Sequence, residues 1–389
     1  MGTRVVVDPD VLDGDWPGVD IILPSMPTEV PWQSMSSQTL HALERAGRAL
    51  GRMEGAVRSG GPSIAGCYIS RSSEGYASAA LALAVDDIHW MSVIREFGDE
   101  TLDFDHTNAA GLAASVIRQS SGLGRWDGSE DTIDLDRWFD TAIKVWPGGA
   151  LGETARVPER WKRALGHDVG RWITDLTVPR LVRAAVVMLV AAATDPEDGA
   201  TGVAARAMFT RVLEITGGID AWRTPPISMG FIPHPEHWRQ VAHALATEGD
   251  PDPDVIDDAL RLVFDAVARG AGPGGPLMEW AGRIASEAAK SVPRARRSWR
   301  LQNLIDGLVG LPALSVDDAA RLSNYSPRGV RRVLKELVDR DLVRERRTRN
   351  GDAYFTWKGA PRPWLDMVTR YPMPGEPWPD YVRDESPST

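Results

Sequence analysis

The stretch SPRGVRRVLKELVD, residues 326–339, decides the fold at the C-terminal end of this chain of 389 residues. Ser326 is a helix-capping residue type, and Pro327 follows at the first helical position, where its missing N–H costs nothing. Apolar residues recur at helical spacing on one face, namely Val330, Val333, Leu334 and Leu337. The other face carries the cations Arg328, Arg331, Arg332 and Lys335. The pattern predicts an amphipathic helix with a basic outer face.

The residues on either side of this helix predict a turn and a hairpin. Residues 315–318, SVDD, have the form of a capping box and predict a short helix that ends before a tight turn at residues 324–325. Downstream, residues 342–346 are strand-like, and residues 350–352, NGD, are a hairpin turn signal. Residues 353–357 are predicted to be the returning strand.

Helix, turn, basic helix and arginine-rich hairpin follow one another as in bacterial winged-helix DNA-binding domains, which residues 297–357 resemble. The resemblance implies a helix in the major groove of double-stranded DNA and a wing that reaches the backbone or minor groove. The residues expected to contact DNA are Ser326, Arg328, Arg331, Arg332, Lys335, Arg346, Arg347 and Arg349. Such proteins commonly bind as dimers, so a homodimer on half-sites about 34–36 Å apart is expected.

Positive charge is concentrated in this part of the chain. Residues 294–349 hold fourteen Lys and Arg against seven Asp and Glu, a net charge of +7, whereas the whole chain carries −10. A local positive field on an element shaped for the major groove favours a polyanionic partner. Two alternatives stay open: the arginines only solvate a helix and a hairpin, or the domain binds another protein.

Composition favours a cytoplasmic protein. The single cysteine, Cys67, excludes an intramolecular disulfide and suits a reducing compartment. The N-terminus lacks the charged stub and apolar run of a signal peptide, and the most apolar segment, residues 181–193, is too short to span a bilayer. We therefore expect a chain with no membrane partner.

The rest of the chain is predicted to be helical, so the fold class is mainly α with a small β-hairpin wing. We expect an extended arm over residues 1–35, a helical body over 36–290, the winged helix over 291–360 and a proline-rich tail over 361–389. Periodicity predicts body helices at residues 36–55, 77–97, 107–117, 134–145, 158–176, 178–193, 203–216, 237–247, 253–268 and 277–289. The glycine-rich residues 270–275 are predicted to be a linker.

Three stretches of this body resemble the Fic family. They are Leu23-Pro24 with the helix AGRALGRMEG at 46–55, the motif SRSSEG at 70–75, and the segment DPEDGATGVAAR at 195–206. The second fits the family's inhibitory pattern of Ser or Thr, three residues, Glu and Gly, and the third resembles the active-site loop. The resemblance implies a helical Fic-like fold with a pocket formed by Glu74, Asp195, Asp198, Gly199, Gly202 and Arg206.

The loop departs from the family's active sequence, which reads His-Pro-Phe, any residue, Asp or Glu, Gly-Asn-Gly-Arg, two residues, Arg. Asp195 replaces the histidine that acts as general base, and Val203 replaces the first phosphate-binding arginine. A carboxylate is a poor base beside a polyphosphate, and the lost arginine removes a bidentate phosphate clamp. We therefore interpret the body as degenerate, with no catalytic residue and no cofactor. A one-residue shift would put Asp198 and Gly199 on the metal position, which leaves a vestigial nucleotide or Mg²⁺ site as an alternative.

One relation of the family is retained. The resemblance implies that Glu74 pairs with Arg206, and breaking such an ion pair would cost about 3–5 kcal/mol if it were fully buried. His234, His237 and His243 lack a recognised ligand spacing, so no metal site is expected.

The function favoured by the sequence is a DNA-binding transcriptional regulator of bacterial type, with a small-molecule or protein effector as a further expected partner. The first alternative is residual transfer of AMP to a protein by the Fic-like body. The second is a protein-interaction scaffold that uses the winged helix.

Overall fold

The computed structural model describes residues 3–6, 20–23, 35–59, 64–83, 88, 90–98, 109–120, 177–193, 200–217, 225–245, 252–292, 298–348 and 351–358. Within these residues the chain is mainly α-helical, with one three-stranded sheet and one pair of short strands. The predicted fold class is therefore confirmed at the level of secondary structure. The predicted helices at 134–145 and 158–176 lie outside the described residues, and the predicted domain boundaries stay predictions.

The described elements are, in chain order, β1 (Thr3–Val6), β2 (Asp20–Leu23), α1 (Ser37–Ser59), α2 (Ala65–Ala82), α3 (Trp90–Gly98), α4 (Ala109–Ser120), α5 (Arg180–Ala192), α6 (Ala200–Gly217), α7 (Ile227–Phe231), α8 (Pro235–Leu245), α9 (Pro253–Ala271), α10 (Gly274–Ser291), α11 (Trp299–Gly310), β3 (Leu314–Ser315), α12 (Val316–Ser323), α13 (Pro327–Asp339), β4 (Val343–Arg347) and β5 (Ala353–Trp357). None of the described helices is long and apolar enough to cross a bilayer.

The chain divides into two units. The first comprises Met1–Arg45, Ser129–Ala221 and His234–Asp265. The second comprises Ala46–Gly128, Trp222–Pro233 and Ala266–Thr389.

The first unit is built around α5, which packs against α6. All residues of α5 from Leu181 to Ala192 are buried, as expected for a helix that is apolar on nearly every side. The strands β1 and β2 pair antiparallel, with Val5 opposite Ile21.

A polar contact fixes the start of α1 in this unit. The Asp257 carboxylate on α9 accepts hydrogen bonds from the Ser36 amide at 2.9 Å, the Ser36 hydroxyl at 2.6 Å and the Thr39 hydroxyl at 2.9 Å. Burial alone would raise the pKa of Asp257, but these hydrogen bonds and the nearby Arg261 lower it below its ordinary value.

The second unit is built around α2, whose residues from Ala65 to Leu81 are all buried. It packs against α4, α7, α10 and α11. The prediction of one helix over residues 77–97 is wrong, because α2 already begins at Ala65 and α3 begins only at Trp90. Serine-rich sequence has a weak intrinsic preference for helix, so burial among four neighbours supplies the stability that local propensity lacks.

Buried polar contacts attach α11 to α2. Asp306 on α11 is completely buried, and its carboxylate accepts from the Ile64 amide at 3.0 Å, just before α2 begins. Ser72 on α2 donates to the Gly310 carbonyl at 2.8 Å. A Cβ on Gly310 would lie 2.5 Å from the Ala65 carbonyl oxygen, so only glycine permits this close approach. Burial, with a further contribution from the Asp306 charge, raises the pKa of the Tyr68 hydroxyl on α2. The hydroxyl therefore stays neutral.

The prediction of a linker over residues 270–275 is also wrong. Helix α9 continues through Gly270 to Ala271, and α10 begins at Gly274. A Cβ on Gly270 would collide with the Pro226 carbonyl oxygen. The glycine is therefore required by close backbone packing and not by flexibility.

The C-terminal part of the second unit is a helix, a short strand, two helices joined by a turn, and a hairpin. The sheet order is β3-β5-β4, and both pairings are antiparallel. The predicted helix over 327–339 and strand over 353–357 are confirmed. The short strand β3 was not predicted, because two residues leave no periodic signal.

Candidate nucleic-acid interface

Local hydrogen bonds define the turn between α12 and α13. Ser315 caps α12 by accepting from the Asp318 amide at 3.1 Å, which is the first hydrogen bond of the predicted capping box. The Ser315 hydroxyl also donates to the Asp318 carboxylate at 2.9 Å. Asn324 has a φ of 54°, a left-handed conformation that Asn tolerates better than most residues. Ser326 then accepts from the Gly329 amide at 3.2 Å and caps α13.

Helix α13 has two distinct faces. Val330, Leu334 and Leu337 are completely buried and hold the helix against the rest of the unit. The opposite face exposes the four predicted cations, Arg328, Arg331, Arg332 and Lys335. At 100° per residue these four fall within an arc of about 100° around the helix. The helix therefore presents a continuous basic stripe.

The cations of this stripe make no ion pairs with the carboxylates that the structure describes. Within the described part of the chain, none of the four makes an ion pair, and the same is true of Arg344 and Arg346 on β4. Other arginines nearby are paired: Arg340 lies 3.4 Å from Glu336, and Arg347 lies 3.0 Å from Glu345. Among the described residues of this unit, six cations on α13 and β4 therefore make no ion pair.

The hairpin presents its arginines in two ways. Arg344 and Arg346 are exposed on β4, one opposite Thr356 and the other opposite Tyr354 of β5. Arg347 is held by Glu345 and also donates to the Gly351 carbonyl at 3.2 Å. Gly351 has a φ of 90°, which explains the glycine at this turn. The predicted contact residue Arg349 lies outside the described residues.

A further arginine, Arg118 on α4, connects this region to the helices around α2. Its guanidinium lies 3.7 Å from Asp318, donates to the Phe97 carbonyl, and stacks 4.6 Å from the Phe97 ring centroid. Asp318 is 3% exposed at its side chain, so the ion pair is only weakly screened by water. Arg118 therefore positions the capping box of α12. Sequence reasoning missed this role, since a contact between α4 and α12 leaves no local pattern.

The predicted Fic-like pocket is described only in part. Asp195, Asp198 and Gly199 lie outside the described residues. Glu74 is buried in the second unit and accepts hydrogen bonds from the Ser228 hydroxyl and, at 2.9 Å, the Ser228 amide. Ser228 was not predicted as a partner.

The remaining two residues of that pocket belong to the first unit. Gly202 and Arg206 are buried on α6, and Arg206 is 0% exposed. An ion pair between Glu74 and Arg206 stays a prediction.

The histidines and the single cysteine lie outside the residues discussed so far. Among the described residues no group of His, Cys, Asp and Glu is arranged to hold a metal ion. His237 instead lies 3.0 Å from Asp258. Cys67 is buried among apolar residues.

Comparison with known proteins finds similarity to solved structures and not to curated sequences or family models. No protein-family model matches the chain, and no curated protein is significantly similar to it in sequence. Among solved structures, the chain is similar to a Fic family protein from Desulfovibrio desulfuricans G20, with 12% sequence identity and a TM-score of 0.35. The alignment covers 87% of this chain and 99% of that chain. A likeness at this level does not show that the chain belongs to that family.

Proposed function

We propose that the chain binds double-stranded DNA through α13 and the β4–β5 hairpin, as a winged helix-turn-helix, and that it regulates transcription. The observation that supports this most is the basic stripe on α13, whose four cations make no ion pair with any residue that the structure describes. Like charges in a row repel one another, so such a stripe is unfavourable until a polyanion neutralises it. A DNA partner would place the chain with the chromosome in a bacterial cytoplasm.

The dimensions of α13 suit the major groove. Its thirteen residues span about 20 Å, and the groove is about 12 Å wide. The basic stripe ends at Lys335, and Asp339 follows one turn later on the same side. The N-terminal half of α13 would therefore enter the groove, as in other helix-turn-helix domains. Arginine suits this position because its planar fork matches guanine and phosphate acceptors.

The hairpin would contact the phosphate backbone beside that groove. Arg344 and Arg346 are exposed and lack ion-pair partners within the described residues, so they are available for phosphates. Arg347 already donates to Glu345 and Gly351, so its role is to stabilise the hairpin turn and not to contact bases.

The test is binding of the full chain to a pool of duplex genomic fragments, followed by titration of the selected sequence. We expect Arg331→Ala with Arg332→Ala to weaken binding about a hundredfold, since each good base contact is worth about 1–3 kcal/mol. The matched control removes two exposed arginines elsewhere, Arg95→Ala with Arg283→Ala, and should bind within about twofold of the wild-type chain.

Absence of DNA binding at low salt would overturn the proposal. Equal binding by the two double variants would also overturn it, because affinity would then follow net charge and not α13. The number of chains per duplex, measured by sedimentation, would test the expected dimer.

We further propose that the helical remainder is a catalytically degenerate Fic-like body. The support is the loop sequence, in which Asp195 replaces the general base and Val203 a phosphate-binding arginine. Val203 is buried on α6, where an aliphatic side chain has nothing to offer a phosphate. We expect no transfer of labelled AMP from ATP to the chain or to added protein. Incorporation that is lost in Asp198→Ala would favour an active transferase instead.

A further inference from the structure

An exposed tryptophan lies at the start of α11. The Trp299 side chain is 59% exposed, the largest exposure among the large apolar residues that the structure describes. The Arg300 guanidinium lies over its ring at 5.5 Å from the centroid, and Arg300 is itself exposed. Burial of an indole is favourable by about 25 cal/mol for each Å² removed from water, so an indole kept at the surface is a good anchor for a partner.

This tryptophan is close to the basic helix. Ser298, which precedes Trp299, hydrogen-bonds through its hydroxyl to the Tyr325 hydroxyl at 3.2 Å. Tyr325 immediately precedes the cap of α13, and its ring lies beside Gly329 in the first turn of that helix. The start of α11 is therefore adjacent to the end of α13 that carries Arg328.

The positive charge at the start of α11 is complementary to the phosphates of a DNA backbone. Arg300 makes no ion pair among the described residues, and neither does Arg328 in the first turn of α13. Within the described part of the chain, Trp299, Arg300 and Tyr325 make no hydrogen bond or ion pair with a carboxylate. A cation beside an apolar ring fits a phosphate next to the apolar face of a deoxyribose.

We propose that Trp299, Arg300 and Tyr325 form a second contact surface for DNA, which binds the sugar–phosphate backbone flanking the groove that α13 enters. This inference rests on the proposed function and adds to it a site that does not read bases. Such a contact raises affinity for every sequence alike and sets the register of α13 along the duplex.

The experiment measures equilibrium binding of the full chain to the selected duplex and to an unrelated duplex across a salt series. We expect Arg300→Ala to weaken both by about the same factor, roughly tenfold, and to lower the salt slope by about one. Trp299→Ala should weaken both several-fold, and Trp299→Phe should restore most of the loss. The matched controls are Arg95→Ala for the charge and Met91→Ala, 50% exposed, for the apolar surface.

A single uncharged methylphosphonate, moved along each strand of the selected duplex, identifies the phosphate. At one position outside the groove site, the substitution should weaken the wild-type chain and leave Arg300→Ala unaffected. If Arg300→Ala and Trp299→Ala both bind DNA with wild-type affinity, the second contact surface is overturned. The proposed function would still stand if Arg331→Ala with Arg332→Ala had lost affinity in the same assay. If the wild-type chain binds no duplex, both proposals fail together.

Discussion

A single carboxylate, Asp257, decides how the start of α1 responds to acid. It accepts from Ser36 and Thr39, and its pKa in the folded chain lies below the ordinary value. A carboxylate whose pKa is lowered by folding stabilises the native state above its unfolded pKa of about 4 and loses that contribution as pH falls toward the folded pKa. The stabilisation by Asp257 is therefore fully present at neutral pH and is lost only in the acid range.

We expect Asp257→Asn to lower the free energy of unfolding by about 1 kcal/mol at pH 7, because the charged acceptor becomes a neutral one. The difference from the wild-type chain should shrink as pH falls from about 5 to about 2. Urea unfolding at a series of pH values measures it. Glu279→Gln, which removes an exposed carboxylate on α10, is the control. If the difference in the free energy of unfolding between Asp257→Asn and the wild-type chain grew as the pH fell, the predicted direction of the pH dependence would be wrong.

At the scale of elements, two glycines should respond in opposite ways to the same change. Gly310→Ala places a methyl group against the Ala65 carbonyl and Tyr68, so α11 and α2 must move apart, at a cost of about 1–3 kcal/mol. Gly47→Ala on α1 meets no atom within 4 Å and should stabilise the chain by about 0.5–1 kcal/mol through helix propensity. Thermal unfolding of the two variants checks both, and equal effects would contradict the close packing.

The same contrast shows what sequence can predict. The caps at Ser315 and Ser326 and the faces of α13 were predictable, because each depends on residues within one helical turn. The beginning of α2 was not predictable, because residues distant in sequence bury it. The continuation of α9 through Gly270 was not predictable either, because it depends on close packing against Pro226. Among the predicted site residues, the exposed stripe followed from periodicity, whereas the Arg118–Asp318 pair depends on tertiary structure alone.

At the scale of the whole molecule, the chain is acidic, with a net charge of −10, so the proposed contact with DNA would be confined to one basic region. Six cations on α13 and β4 make no ion pair among the described residues. If each of them neutralises one phosphate, the logarithm of the binding constant should fall with the logarithm of salt concentration with a slope of about −5. Arg344→Ala with Arg346→Ala should reduce that slope by about 2. A slope near zero would indicate a partner other than nucleic acid.

The hydrogen bond from Ile64 to Asp306 has a consequence for synthesis on the ribosome. These residues are 242 positions apart, so α2 is made long before the carboxylate that accepts from the amide at its start. At about 5–20 residues per second, roughly 12–50 s pass between the two. During that interval the start of α2 lacks its buried acceptor, and the nascent chain exposes a helix destined for the centre of its unit. Chaperone capture of the growing chain is therefore expected to last until the segment around residue 306 has emerged.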